Sequence, residues 1–354
     1  MRFGAFIAPY HRPNGRVGDA FERDLALVER LEDLGYDQAW FGEHHSGGWE
    51  TITAPELMIA AAAQRTVRIG LGTGVVSLPY HHPLIVADRL LMLDHLTRGR
   101  LLAGLGSGAL EADARMLGID PSERGERFAE AFEGLVALLS GGPVVTMRGR
   151  GFDLVAARPQ LPAFGGRALP LYVASSFAGL GLKLAARHGA GLLLLGVGLS
   201  AGRAFRDAAA SVSASGHPLD KDRVLVVLNI HVGRTRAAAV EAIREGATAE
   251  QYEYWNDVIG MPAPDYPRSE HVERMVERGL LVAGSPGEVV DSLRRLLADL
   301  GHVGGILIAA REWADPASTD LSYELFAREV APALRERETG GGRLRDHVHG
   351  AAPG

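Results

Sequence analysis

The sequence predicts an α/β protein, a closed (β/α)8 TIM barrel, on three observations. Short β-rich apolar runs alternate with longer segments of helical period, the runs number eight, and they are apolar on both sides. A strand lying between a packed lumen and an outer ring of helices must have that character. A doubly wound open sheet alternates in the same way, but its first turn carries GxGxxG, whereas the first turn here reads PYHRPNG. At 354 residues the chain exceeds a usual domain yet suits one barrel of ~250 residues with insertions. A single domain over residues 1–338 is therefore expected, followed by a Gly-rich, flexible C-terminal tail at 339–354.

The elements follow in order. RFGAFIA at 2–8 is the first strand, and the helix expected near 20–34 sets Phe21, Leu25, Val28 and Leu31 on one face. QAWFG at 38–42 precedes a helix at 55–63, VRIGLGTG at 67–74 one at 83–96, and RLLAGLGSG at 100–108 helical segments reaching Leu139. Residues 143–160 alternate apolar and polar around an Arg-Gly-Arg-Gly turn, which predicts a β-hairpin inserted outside the main sheet. The cycle resumes with PLYVASS at 170–176 and a helix to His188, AGLLLLG at 190–196, RVLVVLNIHVG at 223–233 with a helix from Thr235, and VGGILIAA at 303–310 before a last helix to Leu334. Residues 249–279, with Tyr252, Tyr254, Trp255 and Met261, form an aromatic helical insertion after strand seven; a lid and a packed extension both satisfy this pattern. Ser285, Pro286 and Glu288 spell a capped helix start.

Composition narrows the function. With 37 basic against 43 acidic residues and no basic stripe, no nucleic-acid partner is expected. The absence of cysteine excludes disulfides, thiolate metal sites and a cysteine nucleophile. The amino terminus starts as a core strand without a signal pattern, and no apolar run approaches the roughly 20 residues that cross a bilayer. A cytoplasmic protein with no membrane partner is the expectation.

Barrel chemistry sits where the strands end. Strand two runs into Glu43, His44 and His45, a carboxylate beside two imidazoles able to take or release a proton near neutral pH; the alternative is a solvated turn. Other loops bring His11, Trp49, Tyr80, His81, His82, His231 and Trp313 to the same rim. A metal centre is the rival, but the first strand ends in one histidine in place of a His-x-His pair and carboxylate ligands are few, so no metal is assigned. The exits Gly104–Gly108 and Ala174-Ser175-Ser176 pair small residues with helix starts, which suits an anionic group such as a phosphate.

WFGEHHSGGWE at 40–50, LGTGVVSLPYHHPL at 71–84, DHLTRGRLLAGLGSGAL at 94–110 with MLGID at 116–120, and GGILIAAREWAD at 304–315 resemble the bacterial luciferase-like flavin-dependent monooxygenases, in particular their limonene monooxygenase-like branch. The resemblance spans nearly the whole chain. It implies a two-component monooxygenase that receives reduced FMN, or in relatives FADH2 or deazaflavin F420, from a separate flavin reductase. Through a flavin C4a-hydroperoxide and O2 it would hydroxylate, epoxidise or Baeyer–Villiger oxidise an apolar or polycyclic organic substrate. His44 takes the place of the family's catalytic histidine, with Glu43 and His45 beside it. Phe6 and the peptide Gly74-Val75, which is cis in the family, take the flavin-ring positions, and Ser107, Ser175, Ser176 and Gly179 the phosphate positions. The luciferases proper have arginine at the Ser107 position and glutamate at the Ser175 position, so the choice among FMN, FAD and F420 stays open. His11, Trp49, Tyr80, Trp255 and Trp313 are the substrate-facing candidates. The family also implies a homodimer through the helices after strands two and three. An F420-dependent dehydrogenase and a non-catalytic flavin-binding subunit are the alternatives.

Overall fold

The computed structural model describes residues 1–340 apart from 14, 176–178, 196–197 and 199–201. Eight parallel strands close on themselves: β1 (Arg2–Ile7), β2 (Gln38–Phe41), β3 (Gly70–Thr73), β4 (Leu101–Gly106), β5 (Leu171–Ser175), β6 (Gly191–Leu194), β7 (Val224–Leu228) and β8 (Gly305–Ala310). Each pairs with its neighbours in chain order, and β8 returns to β1 with Arg2 opposite Gly305 and Ile7 opposite Ala310. Closure leaves no sheet edge in the barrel.

The interior explains the glycines of these strands. Trp40 points into the lumen, fully buried, with Tyr172 edge-on at 5.1 Å and Leu193, Leu225 and Leu307 around it. Its indole Nε1 donates to Gln38 Oε1 at 3.1 Å. Gly72 stands opposite Trp40 across the β2/β3 ladder, and a Cβ there would lie 2.3 Å from the indole. Gly104 on β4 faces the same ring, where a Cβ would come within 3.0 Å of Cζ3. One large side chain and two absent ones fill the layer together. Outside the barrel a second and larger apolar layer packs the strands against the helices, including Phe3, Val28, Leu31, Leu90 and Leu293.

The insertions also take shape. Val145–Gly149 and Phe152–Ala157 form the expected antiparallel hairpin, outside the barrel sheet. The helix Arg236–Ala249 runs on into π-helical turns at Glu250–Asn256, and Tyr254 is fully buried against Tyr10 and Trp49. The segment is thus a packed extension across one side of the mouth. Ser285 and Glu288 make the reciprocal capping box of helix Pro286–Leu300. Thr339 and Gly340, assigned above to a flexible tail, end the helix Ala331–Gly340; the rest of that tail lies outside the described residues.

Strand seven needs a correction. The continuous run read at 223–233 divides at Asn229: Val224–Leu228 belongs to the barrel, whereas Ile230–Val232 pairs with Val282–Gly284 in a separate two-stranded sheet. His231 is therefore carried away from the rim and buried, and burial pushes its pKa down to about 4. It serves as a neutral packing group.

Gly72→Ala forces a methyl group into the Trp40 ring, so it is expected to cost about 2 kcal/mol or more. Thermal unfolding of the variant checks this, and an unchanged midpoint would contradict the packing described.

Candidate active site

A cavity of about 530 Å³ opens at the carboxyl ends of the barrel strands. Phe6 from β1, Glu43 and His44 beyond β2, and Gly74, Val75 and Ser77 beyond β3 form one part of its wall. Ser107 beyond β4 and Ser175 at the end of β5 form another. That volume lies within the roughly 300–1,000 Å³ range of small-molecule pockets.

His44 is held from behind. Its main-chain N–H donates to Ile52 O at 3.1 Å, and its Nδ1 lies 2.8 Å from Oδ2 of Asp113, on the helix Glu111–Met116. The Asp113 side chain is 1% exposed and also accepts from the His45 main-chain N–H at 3.1 Å and from the Ser46 hydroxyl. Burial alone would raise the pKa of Asp113, but the donors from His44 and Ser46 outweigh it and hold the carboxyl below its ordinary range. An ionised carboxylate only accepts, so Nδ1 carries a proton, and it is the neutral ring that presents a lone pair at Nε2. Among the described residues Nε2 meets no protein partner, and His44 lines the cavity.

Glu43 organises the second group. Its side chain is 1% exposed; Oε1 accepts from His45 Nε2 at 3.0 Å and His81 Nε2 at 3.2 Å, while Oε2 accepts the Ser77 N–H at 3.2 Å. Burial works to raise this pKa too, and the two imidazole donors reverse the sign and lower it. The same hydrogen bond raises the pKa of His45. These three side chains bring one donor atom each within 4.8 Å, which is metal-ligand spacing. Hydrogen bonding already accounts for the arrangement, since each Nε2–H has the carboxylate as acceptor.

The wall beside His44 is main chain packed on an aromatic ring. The Gly74-Val75 peptide is cis, and the Phe6 ring lies so close that a Cβ on Gly74 would sit 2.8 Å from it. At the opposite end Gly106, Ser107, Gly108 and Ala109 meet Ser175 and Gly181. Gly181 presses on Ser175, where a Cβ would lie 2.9 Å away. Gly179 caps the helix Leu180–His188 with φ of 129°, a value that favours glycine, and it is not among the residues that line the cavity. The first N–H groups of that helix have no helical acceptor, and such groups suit an anion.

The remaining candidates separate. Trp255 lines the cavity, and Trp313 lines an adjoining one. His11 does not reach the cavity: its ring is buried between Asp24, at 2.9 Å from Nε2, and Thr51 at Nδ1. Trp49 is covered by Tyr10 and Tyr254 at 5.3 and 5.8 Å, and Tyr80 stands behind Gly108 with its ring 6.0 Å from that of His45. These three are supports, not lining groups. Ser176 lies outside the described residues. Asp113, Glu250 and Arg311 are not singled out by the sequence. Nothing in the local pattern around Asp113 marks it, because its partners lie 67 to 69 positions earlier.

The Glu43–His45 contact has a pH signature. Glu43, lowered from 4.5, contributes stability that is present above pH 4.5 and lost as pH falls through its lowered value. His45, raised from 6.5, contributes stability that is present below pH 6.5 and lost as pH rises through its raised value. The thermal midpoint of the wild type minus that of His45→Gln is therefore expected to be largest between pH 4.5 and 6.5 and to shrink on either side. A difference independent of pH would contradict the pairing.

Comparison with known proteins places this geometry. The family described as luciferase-like monooxygenase matches residues 1–303. The chain is 41% identical to the 4-hydroxyprotoasukamycin monooxygenase of Streptomyces nodosus subsp. asukaensis, over 94% of this chain and 92% of that one. It is 38% identical to the limonene 1,2-monooxygenase of Rhodococcus erythropolis, over 93% and 86% respectively. In fold it is similar to the oxygenating constituent of 3,6-diketocamphane monooxygenase from Pseudomonas putida, solved in complex with FMN. The TM-score is 0.80 at 24% identity, covering 94% of this chain and 98% of that one. With the family matched over most of the chain and full-length relatives at this identity, the protein belongs to the luciferase-like monooxygenases and is an oxidoreductase.

Proposed function

We propose that the protein is the oxygenase of a two-component flavin-dependent system. It takes reduced FMN from a separate flavin reductase and uses O2 to hydroxylate, epoxidise or Baeyer–Villiger oxidise an apolar or polycyclic substrate of terpene or polyketide kind. One observation carries the reading: His44, fixed by Asp113, stands on the wall of a cavity that has a Gly74-Val75 and Phe6 platform at one side and a serine-glycine cradle at the other. The residues fit such a cofactor. The platform has no side chain at Gly74 to obstruct a ring, and Ser107, Ser175 and the start of helix Leu180–His188 offer hydroxyl and N–H donors to a phosphate. When bound, reduced flavin supplies the electrons that activate O2.

The chain's own residues do the rest. Phe6, Val75, Leu195 and Val227 make the ring end of the cavity apolar and limit water there. His44 holds or accepts a proton at Nε2, with Asp113 fixing its tautomer and orientation. Glu43, with His45 and His81, sets the charge beside it. The names of the relatives, one for limonene and one for a protoasukamycin, support the substrate class. Leu57, Ile85 and Met92 are exposed on the helices Pro55–Ala63 and Pro83–Leu96, which follow β2 and β3. Those faces support a homodimer, and we place the protein in the cytoplasm beside its reductase.

With FMN, a reductase and a terpene and polyketide panel, His44→Ala is expected to keep oxidised-FMN affinity while product per NADH falls at least about tenfold and H2O2 rises. Undiminished coupling would reject the role. Asp113→Asn is expected to lower coupling in the same sense and to move its pH profile, with FMN affinity kept; an unmoved profile would reduce Asp113 to packing. Transfer of one oxygen atom from labelled O2 to the substrate in the presence of reduced FMN, against reduction of F420 by a secondary alcohol, separates oxygenase from dehydrogenase.

A further inference from the structure

We infer that the organic substrate occupies a second chamber behind the Arg311–Glu250 pair and that Arg311 anchors an oxygen of it. The inference rests on the monooxygenase reading and deepens it. The chamber, of about 440 Å³, lies outside the barrel mouth between the end of β7 and the insertion. Val227, Trp255 and Arg311 line both this chamber and the first cavity, so the two are neighbours across one thin wall.

The wall is built around a single buried carboxylate. Glu250, with a side chain 4% exposed, accepts from Trp255 Nε1 at 3.1 Å, Trp313 Nε1 at 2.6 Å and Arg311 Nη1 at 2.6 Å. A carboxylate taken this far from water needs such partners, and in return it fixes two indoles and a guanidinium at one place. Arg311 spends one N–H of its fork on Glu250, its one protein hydrogen bond among the described residues, and its Nε is buried without a partner. A guanidinium carries five N–H donors, so donors remain on a wall shared by both spaces.

The rest of the chamber is apolar and adaptable. Met261, Met275, Leu280 and the Trp255 and Trp313 rings supply most of it, with Asn229, Gln251 and His271 as polar exceptions. Thioethers and indoles fit irregular hydrocarbon shapes. One cationic donor at the partition adds a preference for an acceptor oxygen. The ligand class is thus a mono- or polycyclic hydrocarbon skeleton bearing a carbonyl or hydroxyl. Its oxygen points to Arg311, and its near end meets the cofactor cavity.

Calorimetry with camphor, a bicyclic ketone, and camphene, a bicyclic hydrocarbon without oxygen, tests the assignment on the full chain without flavin, and oxidised FMN is titrated separately. Wild type is expected to bind camphor more tightly than camphene. Met275→Trp and Gln251→Trp, which fill the chamber, are expected to weaken camphor at least about tenfold with FMN affinity unchanged. Arg311→Lys keeps the charge facing Glu250 but loses the planar fork, so camphor is expected to fall to the level of camphene, about fivefold or more, with camphene unchanged. Wild-type affinity for camphor in both chamber-filling variants, a preserved ketone preference in Arg311→Lys, or no camphor binding by wild type would each overturn the inference. Failure of FMN alone to bind would count against the flavin reading and leave the chamber standing.

Discussion

The hydrogen bond between the His44 imidazole and the buried Asp113 carboxylate is the contact on which the site depends. Without it the imidazole at the β2 exit would be free to rotate and to change tautomer. With it, the lone pair of Nε2 has one orientation and one place on the cavity wall. The cost is a carboxylate that is 1% exposed, and it is offset by three donors: the His44 ring, the His45 N–H and the Ser46 hydroxyl. Glu43 repeats the device two residues from His45, so the chain just beyond β2 is pinned by two buried carboxylates.

The barrel interior makes this placement rigid. Trp40, three residues before Glu43, is locked in the lumen by the absence of side chains at Gly72 and Gly104 and by Tyr172. The register that puts Trp40 opposite Gly72 also puts Phe41 opposite Thr73, so the two chains leave the barrel together. Gly74 and Val75 then turn over Phe6, and the short strand Val76–Ser77 rejoins β4 beside Gly106. The cis peptide and the Glu43-His44-His45 group therefore come from adjacent strands with a fixed offset. Second-layer packing of this kind is what keeps a functional geometry from drifting.

Much of the fold was legible because it rests on periodicity. Eight apolar runs became eight barrel strands, and the Arg-Gly-Arg-Gly turn became the hairpin. Legibility failed where pairing partners decide. A strand-like run at 223–233 does not reveal that Asn229 divides it between two sheets, so His231 was assigned to the rim. In the site, Glu43, His44, Phe6, Gly74, Val75, Ser107, Ser175 and Trp255 do share one cavity, since each sits at or just past a strand end or in the insertion over the mouth. His11, Trp49 and Tyr80 lie near the mouth in sequence, but their rings turn into supporting layers. Asp113 and His81 were missed as partners because contacts across 69 and 38 positions leave no local pattern.

A crystal structure of the protein soaked with FMN tests the central claim most directly. The isoalloxazine is expected on the Gly74-Val75 platform within hydrogen-bonding or van der Waals reach of His44, and the phosphate among Ser107, Ser175 and the start of helix Leu180–His188. FMN bound elsewhere, with His44 and Asp113 apart from it, would contradict the account.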